Sequence, residues 1–71
     1  MPNSVYKVIE VIGSSPVSWE EAANNAIKQA AKTLKNLRIA EVKALDLKLE
    51  EGKVVAYRTR VSLSFKYDAN D

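Results

Sequence analysis

Cysteine and histidine are both missing from the 71 residues, and their absence excludes more chemistry than any residue present suggests. The chain has no thiolate nucleophile, no imidazole proton shuttle, no Ser-His triad and no ordinary zinc site. Disulfides cannot staple the fold. Glycine and proline occur only twice each, so no linker or low-complexity tract divides the chain, and Gly13 and Gly52 cannot form a glycine-rich phosphate loop. No apolar run approaches the ~18 residues of a membrane span. The start, Met1-Pro2-Asn3-Ser4, lacks the basic head and apolar stretch of a signal peptide. A cytoplasmic protein without a membrane partner is the expectation.

What remains is a globular composition, with 46% apolar and 28% charged residues. The length allows one domain, residues 1–71. A chain this short buries only about 60% of the surface its unfolded form exposes, so without disulfides it needs support from a metal or from other copies. Eleven basic and nine acidic side chains leave a net charge of +2, too small an excess to make nucleic acid the expected partner.

Along the chain, the β-branched run from Val5 to Ile12 reads as a strand that stops at the turn formers Gly13-Ser14-Ser15-Pro16. Ser18-Trp19-Glu20-Glu21 fits a capping box, with Ser18 accepting from the Glu21 amide and Glu21 reaching back to the Ser18 amide. A helix over 18–36 follows from the recurrence of Ala22, Ala23, Ala26, Ile27, Ala30, Ala31, Leu34 and Leu37. After Asn36 the period changes, and Ile39–Glu50 and Val54–Tyr67 read as strands joined at Glu50-Glu51-Gly52-Lys53. The last strand has the clearest alternation, with Val55, Tyr57, Thr59, Val61, Leu63, Phe65 and Tyr67 on one face. In the middle strand the apolar phase slips between Ala40-Val42-Ala44 and Leu45-Leu47-Leu49, which predicts a bulge near Lys43–Asp46.

These lengths settle an assembly question. The last strand would run over about 40 Å, whereas a compact chain of this size has a radius of gyration near about 11 Å. One helix cannot cover such a hairpin, so Leu45, Leu47, Leu49, Tyr57 and Leu63 call for another subunit, and an obligate homo-oligomer is expected.

The segments Val5-Tyr6-Lys7-Val8-Ile9-Glu10-Val11-Ile12-Gly13-Ser14-Ser15, Ala40-Glu41-Val42 and Val61-Ser62-Leu63-Ser64-Phe65-Lys66, in this order around one helix, resemble the dodecins. The resemblance covers nearly the whole chain. It implies an α+β fold, β-α-β-β, with a three-stranded antiparallel sheet wrapped around one helix and assembled as a hollow homododecamer. Typical dodecins bind flavins (FMN or riboflavin) in stacked pairs between tryptophans, a binding and storage role rather than an enzymatic one. Four flavin-site positions depart from the family here. Ile39 stands where the stacking tryptophan falls, and Arg58 where a glutamine usually bonds the isoalloxazine edge. Asp46 replaces an arginine, and Arg38 an aspartate, common in bacterial members.

An aromatic ring stacked on a planar ligand contributes about 0.5–1.5 kcal/mol beyond its buried area, and Ile39 offers none of it, so flavin affinity is expected to be weak or absent. Because Gly52 lies midway between Asp46 and Arg58, a regular hairpin would set those two opposite each other as a charge pair that fills the pocket with protein.

A subgroup with a similar Ser18-Trp19-Glu20 helix start and Tyr57-Arg58 pair is described as calcium-binding, which makes calcium a rival ligand. Its six to eight oxygen ligands would have to come from several copies or from carbonyls, with Asp46, Glu50, Glu51, Asp68 and Asp71 as the available carboxylates. Some bacterial members bind coenzyme A at trimer contacts, which carries over to Thr33, Lys35 and Lys66 as phosphate donors. Lys28, Lys32, Lys35 and Arg38 also read as a solvated face suited to the helix dipole. Trp19 reads as an anchor of the helix entrance. Glu10 and Glu41 read as partners for Lys or Arg across a subunit contact.

Overall fold

Alternation and turn chemistry produce four elements in the computed structural model, which describes residues 5–67: β1 (Val5–Ser15), α1 (Trp19–Ala31), β2 (Leu37–Glu50) and β3 (Lys53–Tyr67). The last strand is the central one. β3 pairs antiparallel with β1 on one side and β2 on the other, giving the order β1-β3-β2 and the expected β-α-β-β architecture.

The alternation of β3 decides which sheet face the helix covers. Thr59, Val61 and Leu63 are each 1% exposed and lie under α1, whose contribution is the small-residue face Ala22, Ala26 and Ala30. Ile9, Val11, Ala23, Ile27, Leu34 and Leu37 close the core around Ala30, Val61 and Leu63. Small side chains let α1 approach closely. Gly13 makes the tightest approach: a Cβ there would run into the Ala22 carbonyl oxygen and lie 2.9 Å from the carbonyl carbon.

Five boundaries differ from the sequence expectation, the starts of α1 and β3 by one residue and three others by more, each of the three for a local reason. β1 runs on through Gly13, Ser14 and Ser15, because these residues pair with Thr59, Arg58 and Tyr57 instead of turning. Ser15 is buried, and its Oγ accepts from the amides of Val17 at 2.9 Å and Ser18 at 3.4 Å. That second bond corrects the capping box. Ser18 Oγ does accept from the Glu21 amide at 3.0 Å, but the Ser18 amide goes to Ser15, not to Glu21.

α1 ends at Ala31, short of Asn36. The backbone tightens as Lys32 donates to the Gln29 carbonyl at 3.3 Å and Thr33 to the Ala30 carbonyl at 3.1 Å, and Asn36 adopts φ 65 and redirects the chain. The exit brings Leu34 and Leu37 onto the core, where a continued helix would carry them past it.

β2 starts two residues early, at Leu37, with an unforeseen register shift across Arg38. The expected bulge lies at Lys43, between the pairs Val42–Val61 and Ala44–Arg60. At the hairpin tip Glu51 (φ 51) and Gly52 (φ 75) form a two-residue turn of the primed kind, which matches strand twist, and β3 begins at Lys53.

The long hairpin stretches the molecule to 54 × 20 × 14 Å with a radius of gyration of 14.7 Å. A compact chain of this length would have about 11 Å. The surface is 5447 Å², against about 4,400 Å² for a compact monomer of this mass. Leu45, Leu47, Leu49, Val54 and Val55 are all at least 40% exposed along the hairpin. No helix among the described residues is long and apolar enough to cross a membrane.

Candidate functional site

Residues paired across an antiparallel ladder project to the same sheet face. Because Thr59, Val61 and Leu63 face α1, the alternate residues Arg58, Arg60, Ser62 and Ser64 face away from it, and so do their β2 partners Asp46, Ala44, Glu41 and Ile39. Three of the four positions singled out in the sequence, Ile39, Asp46 and Arg58, therefore share the helix-free face.

Asp46 and Arg58 meet there as the sequence suggested. Arg58 Nε donates to Asp46 Oδ1 and Nη2 to Oδ2, both at 2.8 Å, in a two-point fork that holds both side chains in place. These bonds hold the Asp46 carboxyl below its ordinary pKa; partial desolvation opposes them, and the charges of Arg58 and Arg60 reinforce them.

The main chain of the same β2 residue is used as well. The Asp46 carbonyl accepts from Trp19 Nε1 at 3.1 Å, and Thr59 Oγ1 donates to the Trp19 carbonyl at 2.9 Å. The Tyr57 and Trp19 rings meet edge to face, with centroids 5.2 Å apart at 80°. Trp19 thus anchors the helix entrance to both strands of the hairpin. Beside its indole lies an apolar cleft of about 270 Å³ walled by Ala23, Val42, Leu45 and Thr59, with Glu20 at the mouth. Sequence reasoning placed Trp19 at the helix start but missed this cleft. The only hint was the phase slip that turns Leu45 to the helix side of the sheet.

Arg38 and Ile39 lie elsewhere. Ile39 and Asp46 lie seven positions apart along β2, about 20 Å. Ile39 is 63% exposed, and with Arg38 it lines a separate cleft of about 180 Å³ that also touches Ile27 and Leu63. One protomer therefore does not gather the four positions.

Thr33, Lys35 and Lys66 share one end of the molecule, since the Lys66 amide donates to the Asn36 carbonyl at 3.3 Å. Thr33 Oγ1 already donates to the Ala30 carbonyl at 3.5 Å, while Lys35 and Lys66 are exposed. Glu41 lies 3.9 Å from Lys43 of its own chain.

The described residues of one protomer form no nest for calcium. Among the described residues no three acidic side chains converge, and both Asp46 oxygens are held by Arg58. Asp68 and Asp71 lie outside the described residues.

A protein-family model for dodecins matches residues 5–68. The chain belongs to the dodecin family. Among curated dodecins, the calcium dodecin of Mycobacterium tuberculosis is 41% identical over 63 residues, 89% of each chain. The dodecin of Thermus thermophilus is 33% identical over 64 residues, 90% of this chain and 93% of that one. The solved dodecin of Streptomyces coelicolor superposes with a TM-score of 0.90 at 33% identity, over 99% of this chain and 100% of its own. The calcium-chelating calcium dodecin of M. tuberculosis superposes with a TM-score of 0.83 at 38% identity, over 96% and 97%. The dodecin fold thus carries a forked ion pair, an indole anchor and an open apolar hairpin on this chain.

Proposed function

We propose that this dodecin is a non-enzymatic binding and storage protein, assembled as a hollow homododecamer, whose flavin site has been remodelled until flavin affinity is weak or lost. The observation that carries the reading is the Asp46–Arg58 fork. The fork pins the Arg58 guanidinium to a neighbouring strand through two of its five N–H donors, and the position that resembles the family's edge-binding glutamine carries no amide and no acceptor. Ile39 adds an aliphatic surface in place of a stacking ring. No histidine or cysteine exists to run chemistry in such a shell.

Assembly is supported by the apolar hairpin and the excess surface, which no element among the described residues covers. A net charge of +2 and the lack of a long apolar helix supply no attraction to nucleic acid or to a bilayer, and the cytoplasm is the compartment proposed. The test is a riboflavin or FMN titration. Ligand fluorescence is expected to stay unquenched at micromolar protein; saturable quenching would restore flavin sequestration.

Calcium is the second reading, favoured by the 41% identity to a protein named calcium dodecin. Carboxylates from two or more copies would have to supply it. A melting temperature that rises with calcium and not with magnesium supports this reading, and indifference to both removes it. Coenzyme A, through Thr33, Lys35 and Lys66, is tested in the same melting assay. Loss of its effect in Lys35→Gln or Lys66→Gln would tie the ligand to that end of the molecule.

A further inference from the structure

The cleft beside Trp19 is lined mainly by apolar groups, with the Glu20 carboxylate at its edge. Its other two polar groups are already satisfied, the indole N–H by the Asp46 carbonyl and the Thr59 hydroxyl by the Trp19 carbonyl. No buried side-chain polar atom among the described residues lacks a partner. An occupant therefore needs no hydrogen-bonding group, only apolar volume. The space is about 270 Å³; a cavity of about 150 Å³ accepts benzene, so one or two leucine-sized side chains fill it.

The same chain carries such side chains with nothing to cover them. Leu47 is 42% exposed, on the helix side of the sheet but beyond the helix entrance, and Leu49, past the register shift that follows Lys48, is 58% exposed. They cannot fold back on their own cleft, because the strand that bears them also forms its wall at Val42 and Leu45. The area agrees with a partner. The surface exceeds that of a compact monomer by about 1,000 Å², close to the roughly 800 Å² that each side of a standard interface buries.

We infer that the Trp19 cleft is the seat of a second copy's β2–β3 hairpin, with Leu47 and Leu49 of that copy filling it. This rests on the assembly reading and names the contact within it. The helix entrance is then a socket as well as an anchor. Trp19 holds its own hairpin through its N–H and ring edge while its remaining surface meets the neighbour's leucines.

A cysteine-free chain makes the test direct. Ala23→Cys and Leu49→Cys are prepared separately and mixed under oxidising conditions, with native mass recorded in parallel. A disulfide requires Cα atoms about 4.4–6.8 Å apart, so a covalent heterodimer reports the seat itself. The mixture is expected to cross-link at least tenfold more than a control pair of Lys28→Cys with Leu49→Cys. Independently, Leu49→Asp is expected to shift the emission of the sole tryptophan to longer wavelength, and Leu49→Met to leave it unchanged. A twelve-chain mass with no excess cross-linking and no Leu49-dependent emission overturns the seat and leaves the assembly reading standing. A mass of one chain overturns both.

Discussion

Replacing Gly13 by alanine should cost far more than one methyl group suggests. Gly13 is not among the positive-φ residues, so its backbone suits any amino acid. At such a site Gly→Ala ordinarily stabilises by about 0.4–1 kcal/mol by restricting the unfolded chain. Here the new Cβ would collide with the Ala22 carbonyl oxygen and lie 3.0 Å from Ala26 Cβ. The obstacle is helix backbone, which no rotamer change removes, so β1 and α1 must part and the Ala22–Ala26 face loses its fit. Overpacking a tight core costs about 1–3 kcal/mol. Even after the unfolded-state gain, a net loss of about 1.3 kcal/mol follows, and at 4–8 °C per kcal/mol for a chain of this size the melting temperature should fall by about 5–10 °C.

The assay is thermal unfolding followed by circular dichroism at one fixed protein concentration, because assembly couples stability to concentration. Adding Ala26→Gly should recover only a minor part of the loss, since the main clash is with a carbonyl. A Gly13→Ala protein that melts within about 2 °C of the parent, or higher, would refute the close-approach reasoning.

The Asp46–Arg58 fork should be visible in pH dependence. Arg58 lowers the Asp46 pKa in the folded state, so the fork's contribution is complete above the unfolded value of 3.8 and disappears as pH falls through the still lower folded value. Denaturation midpoints of parent and Asp46→Asn should therefore differ at neutral pH and converge under strong acid; a gap that stays constant with pH would argue against the fork. At the hairpin tip, Glu51 sits at φ 51 in a turn that favours asparagine or glycine. Glu51→Asn should stabilise by about 0.5–1 kcal/mol, measured as a higher denaturant midpoint with an unchanged slope.

The parts of the fold legible in advance were those where one face dominates. β3 announced itself because burial against α1 selects every second side chain, and Lys43 showed as a phase slip because a bulge leaves its mark on the apolar pattern. The Asp46–Arg58 pair was expected from Gly52 as the midpoint, but the turn is centred between Glu51 and Gly52, and it is the register shift between Lys48 and Leu49 that sets the two opposite each other. Less legible were features decided by tertiary contact. Gly13-Ser14-Ser15 looked like a turn because glycine and serine serve both turns and tight packing, and only the length of β3 reveals that a partner strand awaits them. The helix end was hidden by Leu34 and Leu37, which keep helical spacing although they reach the core from an irregular exit. The shift at Arg38 left no apolar signature. The cleft at Trp19 depends on residues from α1, β2 and β3, and no local pattern records it.

The order β1-β3-β2 has a consequence for how the protein is made. Both outer strands bond only to the one synthesised last, and Val5 must wait for Tyr67. While a ribosome is still translating β3, the emerging polypeptide can form its helix but not its sheet. Such long-range pairing is slow to nucleate, so the β2–β3 hairpin can close across its short turn before β1 joins its other side.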